Sequence, residues 1–149
     1  MLVWAILAYD ELDYVAKTVE RLRQCDKPIY VMCDVNSPKM LKEWLELEEV
    51  EHSEYAFDGD YSKMRNELDN RVRALNKYDW ICQLDADELP AFNLINEVEG
   101  IIRVANVNKI SVCRFNCYTD QIDDINVEEL FNAINTGKMY QMERIWNVE

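Results

Sequence analysis

With 29 acidic against 16 basic side chains, the 149-residue chain carries a formal charge of -13, which argues against a nucleic-acid binder or a ligand of anionic membrane surfaces. Hydrophobic residues at 49% and aromatics at 11% exclude a disordered chain, and three glycines and three prolines leave little room for linkers or low-complexity segments. The length suits one domain with a real core, spanning residues 1–149.

Residues 1–9 are almost continuously apolar and read as a buried strand. They fall short of a membrane span, no basic segment or small-residue cleavage pattern marks a signal peptide, and Asp10-Glu11 follow at once. The expected location is therefore cytoplasmic. Leu12, Val15, Ala16, Val19 and Leu22 recur at helical spacing over residues 10–24, and residues 28–33 form a second buried strand that ends at Asp34. Ser37-Pro38 has the pattern of an N-cap followed by proline at the first helical position, with Met40, Leu41, Trp44, Leu45 and Leu47 as the apolar face beyond it.

A short strand is expected within residues 50–57 and a turn at Asp58-Gly59-Asp60. Met64, Leu68, Val72 and Leu75 then mark a helix over residues 61–76. Residues 80–84 are the next strand, and Leu94, Ile95, Val98, Ile101, Ile102 and Ala105 the next helix. Strand character returns at residues 110–115. After an acidic loop at 118–126 come a short helix at 127–134, closed by Gly137, and a last strand at 139–146. Such alternation predicts a mostly parallel sheet with helices on both faces, and ligands in such sheets bind outside the carboxyl ends of strands. Asp10, Asp34 and Asp85 all follow or close predicted strands, so one sheet edge would collect them.

Five cysteines form no Cys-x-x-Cys pair, and Cys33, Cys82 and Cys113 lie in apolar, strand-like settings as reduced core residues. A single histidine, His52, argues against a zinc site of the His/Cys type.

The run Trp80-Ile81-Cys82-Gln83-Leu84-Asp85-Ala86-Asp87-Glu88 drives an apolar strand into three carboxylates within four positions. Like charges so close resist full ionisation unless a cation sits among them, and hard oxygen ligands at a strand end suit Mg2+ or Mn2+ shared with substrate phosphates. For Asp-x-Asp alone, an acidic turn that solvates a strand end is the better explanation. Arg65 would pair with Asp85 or reach a phosphate, against a surface salt bridge as the plainer reading. For Asp10 the plainer reading is a helix N-cap, and for Glu88 a first-turn acid of the next helix. Asn66 would contact ligand or orient its loop. The aromatics, Tyr140 and Trp146 among them, are core by default.

In order along the chain, Ala8-Tyr9-Asp10-Glu11, Asp34, Ser62-Lys63-Met64-Arg65-Asn66 and Tyr78-Asp79-Trp80-Ile81 into Leu84-Asp85-Ala86-Asp87-Glu88 resemble a family 2 glycosyltransferase of the GT-A fold, of the bacterial lipopolysaccharide-core type. The resemblance covers roughly the first two-thirds of the chain. It implies an α/β, mostly parallel, Rossmann-like three-layer sandwich whose nucleotide-binding half is nearly complete. Tyr140 to Trp146 is similar to a strand found midway through longer relatives, which implies an acceptor half that is short or missing.

By the same resemblance, Asp87 ligates Mn2+ or Mg2+ with help from Asp85, and Tyr9, Asp10, Glu11, Asp34, Arg65, Asn66 and Asp85 serve a nucleoside-diphosphate sugar, UDP favoured. Glu88 is the candidate to meet the sugar or to support a neighbouring residue of the site. The reaction implied is inverting transfer to an acceptor hydroxyl. The chain departs from the family at Asp10, where Asn is usual, and at Cys33-Asp34-Val35-Asn36-Ser37, where Asp-Asp-Gly-Ser is frequent. No residue is nominated as catalytic base, the acidic loop with Asp120, Asp123 and Asp124 reading as solvated. An aspartyl phosphotransferase fits less well, since Leu89 stands where that class wants Thr or Val and the motif is central. A non-catalytic nucleotide-sugar-binding or degenerate structural domain of the same fold is the alternative function.

Overall fold

The computed structural model describes residues 1–104, 109–115 and 139–147, with side chains described over residues 1–104. The expected loop at 118–126 and helix at 127–134, with Asp120, Asp123, Asp124, Cys117 and Gly137, lie outside the described residues, as do the side chains of Cys113, Tyr140 and Trp146.

Ten elements follow one another: β1 (Leu2–Ala8), α1 (Leu12–Gln24), β2 (Ile29–Asp34), α2 (Lys39–Leu47), β3 (Glu51–Tyr55), α3 (Tyr61–Ala74), β4 (Trp80–Asp85), α4 (Phe92–Val104), β5 (Lys109–Phe115) and β6 (Met139–Asn147). They build one six-stranded sheet in the order β3-β2-β1-β4-β6-β5. The first four in that order are parallel, while β6 runs antiparallel to both β4 and β5. The expected α/β architecture is therefore present, with a mixed rather than uniform far edge.

Period-2 alternation divides the core into two layers. Leu2, Trp4, Ile6 and Ala8 of β1 face α1, α2 and α4, where they meet Val15, Val19, Leu22, Leu41, Leu45, Ile95 and Val98. Val3, Ala5 and Leu7 face α3 and pack with Met64, Leu68 and Val72. Every residue of β1 is buried, as a central parallel strand covered on both faces requires.

Two helix readings need correction. Met40 and Leu47 are 66% and 79% exposed, because only Leu41, Trp44 and Leu45 fall on the stripe that meets the sheet. Pro38, at φ -52° and ψ 138°, is itself the N-cap residue of α2, and the Ser37 hydroxyl is buried without a hydrogen-bond partner. Ser37 is held instead through its backbone, its N–H donating to the Asp34 carbonyl at 2.9 Å. The turn at 58–60 does more than expected: Gly59 takes a φ of +91°, and the Asp60 carboxylate then caps α3 by accepting from the N–H groups of Ser62 (2.9 Å) and Lys63 (3.1 Å).

Candidate active site at the carboxyl edge of the sheet

The chain leaves β1 for β2 on one side, and β4 lies on the other side of β1. The carboxyl ends of β1 and β4 thus flank a topological switch point, the place where open α/β sheets leave a crevice. Leu7 stands opposite Asp85 in the β1–β4 register, so Ala86, Asp87 and Glu88 project beyond the last hydrogen-bonded rung.

Asp85 is fixed from two directions. Nη2 of Arg65, on α3, donates to both Asp85 oxygens at 3.0 and 3.1 Å. Behind it, the buried Gln83 amide donates to the Arg65 carbonyl (3.1 Å) and to Asp69 (3.2 Å), which locks α3 against β4. The Asp85 N–H donates to the Glu88 carboxylate at 2.8 Å, and the Glu88 N–H returns to the Asp85 carbonyl at 2.9 Å. Glu88 thus closes the turn with its side chain and braces the backbone of Asp85. The Thr18 hydroxyl donates to the Glu88 carbonyl at 3.3 Å, and the buried Arg21 donates to the Pro90 carbonyl at 3.2 Å while stacking on Phe92 at 4.6 Å. These contacts dock the acidic turn on α1. Asp87 stays exposed.

Around β1 the pattern is similar. The Glu11 carboxylate accepts from the N–H groups of Tyr9 (2.8 Å) and Asp10 (3.0 Å), so it folds the β1–α1 loop back on itself. Glu11, not Asp10, is the N-cap residue of α1, and it makes no side-chain cap to the helix. Tyr9, Asp10 and Asn66 are exposed.

Asp34 is the most enclosed acid of the edge, at 3% exposure. Its Oδ1 accepts from the Asn36 N–H and its Oδ2 from the Phe57 N–H, both at 2.7 Å. Burial pushes the carboxyl up, but the backbone amides of Asn36 and Phe57, the Asn36 side-chain amide and the Lys42 charge outweigh it, and the net shift is downward. On the same strand, burial raises the Cys33 thiol, reinforced by Glu54; Cys33 and Cys82 are both buried in the core and in no disulfide.

The edge therefore contains two kinds of carboxylate. Glu11, Asp34, Asp60 and Glu88 are spent on backbone amides, whereas Asp10 and Asp87 face solvent and Asp85 faces Arg65. Sequence reasoning did not foresee the parts of Thr18, Arg21, Gln83 and Asp60; of these only Asp60, three residues before Lys63 in a polar turn, carried a local capping signal. Among the described residues no group of three His, Cys, Asp or Glu side chains forms a metal cage. Two aspartates at a strand end are nonetheless a donor set that Mg2+ or Mn2+ uses when phosphate oxygens complete the shell, and the residues present fit that demand.

Comparison with protein-family models gives no match, and neither does comparison with curated protein sequences. Among solved structures the chain is similar to S. aureus TarS 1-349, at 13% identity and a TM-score of 0.55 over 68% of this chain and 32% of that one. It is also similar to a mannosyltransferase from Pyrobaculum calidifontis solved with GDP-Man and Mn2+, at 14% identity and 0.53 over 77% and 35%. A third likeness is to a 4-diphosphocytidyl-2C-methyl-D-erythritol synthase, at 12% identity and 0.60 over 99% and 75%. What is shared at these identities is the fold alone, an α/β architecture built on a mostly parallel sheet. The chain spans about a third of the length of the TarS and mannosyltransferase chains. Among the described residues no helix is long and apolar enough to cross a membrane.

Proposed function

We propose that this chain is a family 2 glycosyltransferase domain that binds a nucleoside-diphosphate sugar, UDP favoured, and transfers the sugar with inversion to an acceptor hydroxyl. The observation that carries the reading is the Arg65–Asp85 pair at the end of β4, beside an exposed Asp87, at the switch point of the sheet. Support comes from the fold shared with the mannosyltransferase solved with GDP-Man and Mn2+, and with TarS, which is also solved with UDP at a TM-score of 0.51.

In this reading Asp87, with Asp85, holds Mn2+ or Mg2+, which when bound neutralises charge on the leaving diphosphate. Arg65 keeps the Asp85 carboxylate aimed at the crevice and lends a fixed positive charge to an otherwise acidic edge. Tyr9 and Asp10 line the nucleoside side of the crevice from the end of β1, on a loop shaped by Glu11, and Asn66 follows Arg65 on α3. Transfer breaks the bond between the anomeric carbon and the diphosphate oxygen, forms one to the acceptor oxygen, and sends the acceptor proton to a base.

Calorimetric titration with UDP, with and without Mn2+, tests the reading. Saturable binding that needs Mn2+ is the expected result. Absence of binding to UDP, GDP and TDP alike would overturn it. Binding without release of UDP from UDP-sugars in the presence of acceptors would favour a donor-binding module without turnover.

A further inference from the structure

Asp34 stands where the family resemblance places a direct contact to the nucleoside, yet its bonding describes another task. Each carboxylate oxygen already accepts a short bond from a backbone N–H, one from the β2–α2 connection (Asn36) and one from the β3–α3 connection (Phe57). The β2–α2 connection is also tied to the end of β3. The Val35 N–H donates to the Tyr55 carbonyl at 3.0 Å, and Lys42 Nζ bridges the Val35 carbonyl (2.7 Å) and the Glu54 carboxylate (2.8 Å).

A carboxylate that reads a base needs an oxygen lone pair turned toward the ligand. Asp34 is almost wholly covered, and its oxygens are engaged by groups of its own chain. What it holds in place is consequential. The Phe57 ring lies 4.7 Å from that of Tyr61, the first residue of α3, and Arg65 follows one helical turn later on the same face. Asp34 thus bonds the Phe57 amide, the Phe57 ring meets that of Tyr61, and Tyr61 stands one turn before the Arg65 that pairs with Asp85.

We propose that Asp34 is a positioning residue, clamping the β2–α2 and β3–α3 connections so that the loops themselves, rather than this carboxylate, form the nucleoside side of the site. This rests on the reading of the edge as a nucleotide site, whereas the clamp itself is measurable without any nucleotide.

Amide hydrogen exchange by NMR on the wild-type chain, with no nucleotide present, comes first. The Asn36 and Phe57 amides exchange at least on the order of a hundredfold more slowly than the exposed Gly59 amide if they are bonded as described. Exchange as fast as Gly59 overturns the clamp. Asp34→Asn, which keeps one acceptor oxygen and loses the other, then speeds exchange at one or both of these amides while those of β1 are unchanged.

Titration of the wild type and Asp34→Asn with UDP, CDP and GDP in Mn2+ decides the second half. A positioning residue weakens every nucleotide that binds by a similar factor, roughly fivefold to tenfold, and leaves their ratios within about twofold. Selective loss of one nucleotide means direct base contact and overturns the proposal. A wild type that binds none of the three overturns the nucleotide reading, while the exchange result still stands for or against the clamp.

Discussion

Two aspartates end the strands on either side of β1, and they are put to opposite uses. Asp34, at the end of β2, is covered, with each oxygen accepting from an amide of its own chain; Asp85, at the end of β4, is partly exposed and faces a guanidinium. The backbone after each strand accounts for the contrast. After β2 the chain turns back tightly, with Ser37 bonded to the Asp34 carbonyl, and the next connection folds over it. After β4 the turn is closed by Glu88 and docked on α1 by Thr18 and Arg21, with Asp87 exposed and Asp85 facing Arg65. An acid held by amides organises loops, while an acid held by a guanidinium at a crevice is, in the proposed reading, where a ligand would be met.

The sharpest way to test that contrast is to remove one acid from each side. Asp87→Ala is expected to lose several kcal/mol of Mn2+-dependent UDP affinity, on the order of a hundredfold or more, with an unchanged urea midpoint. Asp34→Ala should weight the two effects the other way, costing about 1–3 kcal/mol in urea unfolding for each of the two amides left without an acceptor and only about fivefold to tenfold in nucleotide affinity. Losses of affinity and stability of the same size at both sites would erase the distinction.

Arg65→Lys keeps the charge and loses the planar fork. It is expected to weaken UDP binding by about tenfold and to change stability by less than about 1 kcal/mol, because the pair is partly solvated. Acid titration offers a gentler probe of the β2 side. The Asp34 carboxyl sits below its unfolded value near 3.9, so its contribution to stability is fully present above about pH 4 and is lost as the pH falls through the depressed folded value. The stability gap between the wild type and Asp34→Ala should therefore shrink at the acid end. Smallest of all, Arg21→Met should cost about 1–2 kcal/mol through the Pro90 carbonyl and Phe92 ring, with UDP affinity falling only as the acidic turn loosens.

The strand at 80–84 and its acidic end were legible because an apolar run that meets three carboxylates is a purely local pattern, and Arg65 was legible because it sits at a fixed spacing before that pattern. The two halves of the core were legible for the same reason, since β1, α3 and β4 carry their periodicity within a single window. Partnerships that join distant segments were not. Nothing near Asp34 announces that its second oxygen is taken by Phe57, twenty-three residues on. Arg21 on α1 reads as a solvent-facing charge until Pro90 and Phe92 are brought over it. Ser37 was misjudged because a Ser-Pro pair has two local solutions, and the bond from the Ser37 N–H to Asp34 selects the one in which proline takes the cap. The antiparallel placement of β6 between β4 and β5 likewise has no local signal.

The fully buried β1 has a consequence for how the molecule comes into being. One of its edges pairs with β2, which follows after a single helix, but the other pairs with β4, and the whole stretch from Ala8 to Trp80 must be made before that partner exists. During synthesis an apolar strand would wait with one flank unprotected, a template for pairing with other chains. The last rungs of the β1–β4 ladder also bring the Asp85–Asp87 segment beside the end of β1. Nascent molecules would therefore shed their aggregation hazard and assemble their acidic crevice in the same event.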